Sequence, residues 1–340
     1  MSAPDGERIV VASTPLRISL GGGGTDLPFY ADRFGGDMLS VAISLRSTVT
    51  ARRGRVDGRI RFTHDETSLA REATGLHSPY VAHALAITGF TGSCEITSSG
   101  PVPAGTGLGS SAAFTVSLLA ALRRLGGDRS LNGATPELVE QAWSLEAERL
   151  GRPVGRHDPY VCGLGGVRRL IIAPDGTTHA LVPGISADTL RALEDRLLLY
   201  YTGRSRDSAA HLAPRPGGVA ERTERLHRIR AIGGAVLTAL ENGDIDRVPV
   251  LLREHNEIKQ RASRSDDDFG LGTALKHGAL AGKLVGAGGG GFLLAFAEPD
   301  RRDELDAAMS AVAMPRVPFR FSRGGTAITD ISYDTEEILV

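Results

Sequence analysis

Three runs of glycine, at 21–24, 105–109 and 286–291, constrain this chain more than any other feature of its sequence. The middle run lies in "PAGTGLGSSAAFTVSLLAAL", a glycine loop feeding an apolar helix that begins near Ser110. Glycine lets a backbone turn its N–H groups inward with no Cβ in the way. Such amides, with the positive end of the helix that follows, form a concave anion site. Ser110 and Ser111 add hydroxyls where a phosphate-bound divalent cation takes oxygen ligands. A Walker A loop would close on Gly-Lys-Ser/Thr, and no lysine is near. "GLGSSA" fits the dinucleotide pattern G-x-G-x-x-A, but that fingerprint follows its strand directly. Here residues 98–104, with two prolines, intervene. The third run, "GAGGGG", is followed by "FLLAF", so it reads as a glycine turn between strands. The first, "PLRISLGGGGTDLPFY", leaves room for a ligand against bare backbone, with Thr25 and Asp26 at its edge.

At 340 residues, with 41% hydrophobic and 23% charged residues, the expectation is a globular chain of about two domains. A net charge of −1 gives no pull toward nucleic acid or an anionic membrane. Cys94 and Cys162 have no His or Cys at metal-ligand spacing, which argues against zinc and for a reducing, cytoplasmic setting. No apolar run approaches the roughly 20 residues of a membrane span, and "MSAPDGERIVVAS" lacks a signal pattern.

Periodicity predicts strands at 8–12, 38–43, 47–51, 59–63 and 93–97, and helices at 79–87 and 110–125. "TPELVEQAWSLEAERLG" predicts a further helix, with Thr135 as N-cap, Pro136 at its first position and Gly151 past its end. Strands are expected at 165–172 and 197–201, then helices at 220–242, 248–262 and 270–281. The chain should finish as strand, glycine turn, strand, a helix at 301–312 and a strand at 316–321. The change from mixed elements to a helix-rich half places a boundary near 180–187.

Taken together, the three runs resemble the GHMP kinase superfamily, which includes galactokinase, homoserine kinase and mevalonate kinase. "PAGTGLGSSA" agrees with the family's phosphate loop, P-x-G-x-G-L-G-S-S-A, at every fixed position, and "PLRISLGGGGTD" and "KLVGAGGGGFL" correspond to its first and third motifs. The resemblance implies an α+β fold of two domains, 1–183 and 184–340. The first would be ribosomal-protein-S5-like and the second ferredoxin-like, in a monomer or homodimer. "TPLRISLGGGGTDLPFYADRFGG" and "YYTGRSRDSA" further resemble the branch acting on D-glycero-D-manno-heptose 7-phosphate, where galactokinases would read Gly-Glu-His-Thr-Asp.

The resemblance also assigns expected roles. Pro103, Gly105, Thr106, Gly107, Leu108, Gly109, Ser110, Ser111 and Ala112 would hold ATP. Ser111 with Glu148 would hold Mg²⁺. Asp158 would accept or orient the proton of the attacking hydroxyl, with Arg17 alongside, and His157 would be a bystander. Gly23, Gly24, Thr25 and Asp26 would meet the sugar, the carboxylate accepting from vicinal hydroxyls, with Gly288, Gly289 and Gly290 nearby. Arg204 and Arg206 would meet a distal phosphate. The implied partner is a small-molecule sugar or sugar phosphate. The alternatives are the same chemistry on another sugar, with or without a phosphate, in antibiotic or glycan biosynthesis, and a nucleotide- or sugar-binding regulator on this fold that has lost catalysis.

Overall fold

The computed structural model describes residues 8–103, 105–204, 218–261, 268–286 and 289–331. Its first sheet is organised by one long strand. β2 (Gly36–Arg53) pairs along its length with β1 (Ile9–Gly21), at one end with β5 (Cys94–Ser99) and at the other with β6 (Val167–Ile172). β3 (Ile60–Thr63), β4 (Thr67–Ala70), β7 (Thr178–Leu181) and β11 (Ala327–Ile331) complete eight strands, of which only the β3–β5 pair is parallel. The strands expected at 38–43 and 47–51 are thus one. The interruption is a register shift at Pro15/Leu16, where Pro15 faces Arg46 and Leu16 faces Ile43. Proline cannot donate to a ladder and is accommodated at such irregularities. For the same reason β1 continues through "STP" rather than ending there.

Across this sheet lies α3 (Ser110–Leu125), whose Val116, Leu119 and Leu122 join Val49, Ala51 and Ile96 in one core. α2 (Pro79–Thr88) and α4 (Pro136–Ser144) flank it. Thr135 caps α4 by accepting from Leu138 N at 3.2 Å, and Pro136 opens it, as the sequence predicts. α1 (Pro28–Phe34) and α5 (His157–Leu164) fall where no helix is expected. Both are short and start at a loop end, so neither shows a full amphipathic period.

The second sheet, β8–β10–β9, comprises Leu197–Tyr201, Phe292–Ala297 and Ala279–Leu284, all antiparallel. Alternate residues face opposite sides, as the two-residue strand repeat requires. Leu198, Tyr200, Leu293 and Ala295 pack with α9 (Leu271–Lys276) and α10 (Arg302–Ala311). Leu197, Leu199, Phe292 and Leu294 face α7 (Val219–Glu241) and α8 (Arg247–Arg261), and their core also takes in Leu16, Ile18 and Val41 of the first sheet. α6 (Ala187–Arg196) connects the sheets. The helix expected at 270–281 stops at Lys276, because Gly278 at φ +102° turns the chain into β9. The strand expected at 316–321 makes only single bridges, Arg316 to Tyr200 and Phe321 to Ile43, while crossing from one sheet to the other. We propose the boundary at 183/184 as the division of the chain; it falls between β7 and α6, although β11 then returns to pair with β1. Among the described residues, no helix is long and apolar enough to cross a membrane.

Candidate active site

β1 brings a buried arginine to the phosphate loop. The amide of Arg17 donates to Leu108 O at 2.9 Å, and its Nη1 donates to Gly107 O at 2.5 Å. Its Nε and Nη2 both donate to Asp158 Oδ1, at 2.9 and 2.7 Å. Arg17 is 5% exposed, while 34% of the Asp158 side chain stays open. Burial alone would raise the Asp158 carboxyl; the Arg17 guanidinium and the His157 imidazole overcome it and hold the group well below the usual carboxylate range. The structure therefore brings Arg17 and Asp158 together at the edge of the loop.

His157 is bonded at both ring nitrogens, Nδ1 lying 2.8 Å from Asp158 Oδ1 and Nε2 2.5 Å from Ser40 Oγ. Its backbone N–H donates to Asp26 Oδ2 at 3.2 Å, so it links the two acids. Asp26 is nearly enclosed. A Cβ on Gly155 would stand 2.0 Å from Asp26 Oδ2, so only glycine lets the 150s loop close over this carboxylate. Burial pushes the Asp26 carboxyl up, partly opposed by His157. Thr25 corrects an expectation. It is fully buried, and its hydroxyl donates to Gly22 O at 2.8 Å, so it shapes the first glycine run and does not reach the cleft. Gly23 and Gly24 remain partly exposed beside it.

In the phosphate loop, Leu108 and Thr106 are buried anchors, the Thr106 hydroxyl donating to Pro103 O at 2.9 Å, while Pro103 and Ser111 are exposed and Gly105, Gly107 and Ser110 partly so. Gly109 stands at the N-cap of α3 and Ala112 is buried in its first turn; no side chain caps the helix. Its first amides are thus available to an anion.

Glu148 is the second correction. It is exposed and bonded to Ser144 on the outer face of its helix. Glu146 takes the expected place instead: Ser111 Oγ donates to it at 2.9 Å, with the hydroxyls of Thr115 and Tyr80 at 3.3 Å. Glu146 is 3% exposed, and burial pushes its carboxyl up to about 7, opposed by the Ser111 bond. The helix here passes into a π-turn, Leu145–Arg149, a feature that recurs at functional sites. The signal was in the sequence. At about 100° per residue, the face carrying Leu138, Val139, Ala142 and Leu145 continues to Glu146 and turns about 120° away from Glu148.

The third glycine run meets the phosphate loop backbone to backbone. A Cβ on Gly107 would stand 2.5 Å from Val285 O, and one on Gly286 would stand 2.6 Å from Gly107 Cα. Gly290 is buried against Arg204, whose carbonyl accepts from Gly291 N at 2.8 Å, and Gly289 is partly exposed next to it. These contacts put the turn at the phosphate-loop side of the cleft and do not themselves connect Gly289 or Gly290 to a sugar. Arg204 lies exposed on the rim, 5.5 Å from the Phe269 ring centroid. Arg206 and Gly288 lie outside the described residues.

Behind the turn stands a basic cluster that the sequence reading does not anticipate. Lys283 is 3% exposed and donates to Leu20 O at 3.2 Å; burial lowers its amine to about 7, helped by the charges of Lys259 and Arg17. Lys259 donates to Gly286 O at 2.7 Å and Leu284 O at 3.2 Å. Only three of the chain's 39 lysines and arginines are lysines, and two of them meet here, a bias that could have marked the place.

Comparison with known proteins identifies both domains. The profile described as GHMP kinases N terminal domain matches residues 76–166, and that described as GHMP kinases C terminal matches 236–313. The chain is 26% identical to a D-glycero-alpha-D-manno-heptose 7-phosphate kinase of Campylobacter jejuni, over 94% of this chain and 98% of the relative. It is 28% identical to a mevalonate kinase of Thermococcus sibiricus, over 95% and 99%. A crystal structure described as a D-glycero-D-manno-heptose 1-phosphate kinase of Bacteroides thetaiotaomicron superposes with a TM-score of 0.80 at 25% identity, covering 95% of this chain and all of that one. The phosphate loop falls inside one profile match and the glycine turn inside the other, and the two meet at one cleft: the chain belongs to the GHMP kinases.

Proposed function

We propose that the chain is an ATP-dependent sugar kinase that phosphorylates the anomeric hydroxyl of D-glycero-D-manno-heptose 7-phosphate, giving heptose 1,7-bisphosphate. The observation that carries the reaction is the Arg17–Asp158 pair at the rim of the phosphate loop. Phosphoryl transfer asks for an aligned nucleophile and compensation of charge on the moving group. Asp158 is open on one side to a hydroxyl and fixed on the other by Arg17 and His157. Held so far below the usual range, its carboxylate binds a proton weakly, so its larger role is to orient the attacking oxygen. The anomeric hydroxyl is acidic enough to need little more. The loop amides and the start of α3 receive the phosphates of ATP as fixed donors.

The residues fit a magnesium ion. Glu146 and Ser111 offer hard oxygen donors, and the described hydrogen-bond partners of the Glu146 carboxylate are all hydroxyls; a cation there would oppose the burial that pushes this carboxyl up and would favour its ionised form. Ser111 and Glu146 would hold the ion, which supplies charge neutralisation among the phosphates when bound.

The choice of sugar rests on the first-motif resemblance and on the C. jejuni relative, which is matched over nearly its whole length. A second reading, a kinase for an unphosphorylated sugar, draws on one observation: a galactokinase of Pyrococcus furiosus is also 26% identical, over 88% of this chain and 92% of that one. The test is ADP release with a panel of heptose 7-phosphate, heptose, mannose, fucose and galactose. The proposal expects the highest kcat/KM with heptose 7-phosphate. Faster turnover of an unphosphorylated sugar would establish the second reading, and no sugar-dependent ADP release at all would leave a non-catalytic binder.

A further inference from the structure

The catalytic side chains do not line the cleft alone. Ser111, Glu146 and Asp158 share it with Trp143, Val154 and Pro159, and with the small residues Ala112 and Gly155. Phosphoryl transfer has no use for an apolar wall. A sugar has: its ring carries hydroxyls at the rim and a C–H surface on its faces.

Trp143 is held more firmly than its partly exposed position requires. It lies in the last turn of α4, three residues before Glu146. The Arg156 guanidinium lies 3.6 Å from its ring centroid, a close cation–π contact. Arg156 is itself locked by Glu140, Nε to Oε1 at 2.9 Å, and the other oxygen of Glu140 accepts from Tyr160 OH at 2.9 Å. The indole N–H donates to Val154 O at 3.3 Å, tying the ring to the loop that brings Gly155 over Asp26 and leads into Asp158. The ring is thus fixed relative to both acids before any ligand arrives. Such preorganisation of an aromatic surface is characteristic of ligand contacts.

We infer that Trp143 contacts the acceptor: it is a specificity-determining wall against which the C–H face of the sugar rests while its hydroxyl is presented to Asp158. Adenine is the other flat ligand of the reaction. It is separated from the attacked phosphorus by the length of the triphosphate, whereas Trp143 shares its cleft with Asp158. This inference rests on the sugar-kinase reading above.

Trp143 is the only tryptophan of the chain, so its emission reads this wall alone. The full-length protein is titrated with whichever panel sugar the wild type turns over, with and without a non-hydrolysable ATP analogue and Mg²⁺. The sugar should change the emission saturably, and the nucleotide alone should not. Trp143→Ala should raise KM for the sugar about tenfold, the size of one aromatic contact, with KM for ATP within about twofold. Trp143→Phe should recover most of the loss, and it carries the kinetic test if the alanine variant does not fold. An emission that responds to nucleotide but not to sugar, or equal rises in both KM values, would overturn the inference. A wild type that turns over no sugar would instead overturn the kinase reading. Turnover without any sugar-dependent emission change would overturn only the role of Trp143.

Discussion

On one side of the cleft, charged side chains are withdrawn from water and fixed against one another: Arg17 on Asp158, His157 between Asp158 and Asp26, Ser111 on Glu146. On the other side, two glycine segments meet with no side chain between them, Gly107 on Gly286 and the 290s turn on Thr106. The first wall derives its properties from functional groups, so an isosteric change should remove chemistry and leave the fold. The second derives its properties from the absence of atoms, so adding a single methyl should disturb structure first and chemistry as a result.

Three experiments put that contrast at risk. The largest expected effect is at Asp158→Asn, which keeps the shape and loses the charge. kcat should fall by about two orders of magnitude or more, with KM for ATP little changed, because the partner is the acceptor hydroxyl and the loss belongs to the transition state. Steady-state kinetics returning a kcat within about threefold of wild type would remove Asp158 from the mechanism.

Gly107→Ala should act in the opposite order. Its φ of +87° strains any Cβ, and the new atom would stand 2.5 Å from Val285 O. Thermal denaturation should show a loss of about 1–3 kcal/mol, with KM for ATP rising as the loop moves off the glycine turn. An alanine variant as stable as wild type would mean that the two segments do not meet as described.

The smallest effect separates two glutamates of one helix. Glu146→Gln should raise the Mg²⁺ concentration for half-maximal rate several-fold, since a hard cation loses one of few protein ligands. Glu148→Gln, exposed and turned away, should leave it unchanged. Activity measured against Mg²⁺ for the two variants decides between them, and the reverse order would return the metal to Glu148.

The parts of this protein that were legible from sequence are those written in local chemistry. The glycine loop, the helix Ser110–Leu125 and the Thr135 cap could be read because each depends on neighbours within a turn or two. Arg17 and Asp158, 141 positions apart, were reached only through the family pattern. Glu146 was missed although the helical period pointed to it, because the motif drew attention to the residue two places on. Thr25 was misassigned because a hydroxyl beside a glycine run looks equally suited to a ligand or to its own backbone. The glycine-to-glycine contact and the Lys283 cluster were invisible for a different reason: they exist only where segments some 180 to 260 residues apart come together.

The return of β11 to the edge of β1 has a bearing on how the molecule is made. β1 is made more than 300 residues before the strand that covers its outer edge, which pairs as Ile331↔Ile9 through Ala327↔Ser13. The buried hydroxyl of Thr14 likewise bonds Thr326 at 2.9 Å. While the chain between β1 and β11 is being made, the first sheet carries an open edge of the kind that recruits foreign strands. A nascent chain halted after α5 would already hold Arg17, Glu146 and Asp158, yet its first sheet would be incomplete. Completion of the first sheet waits for β11, which makes the second half a condition for finishing the first.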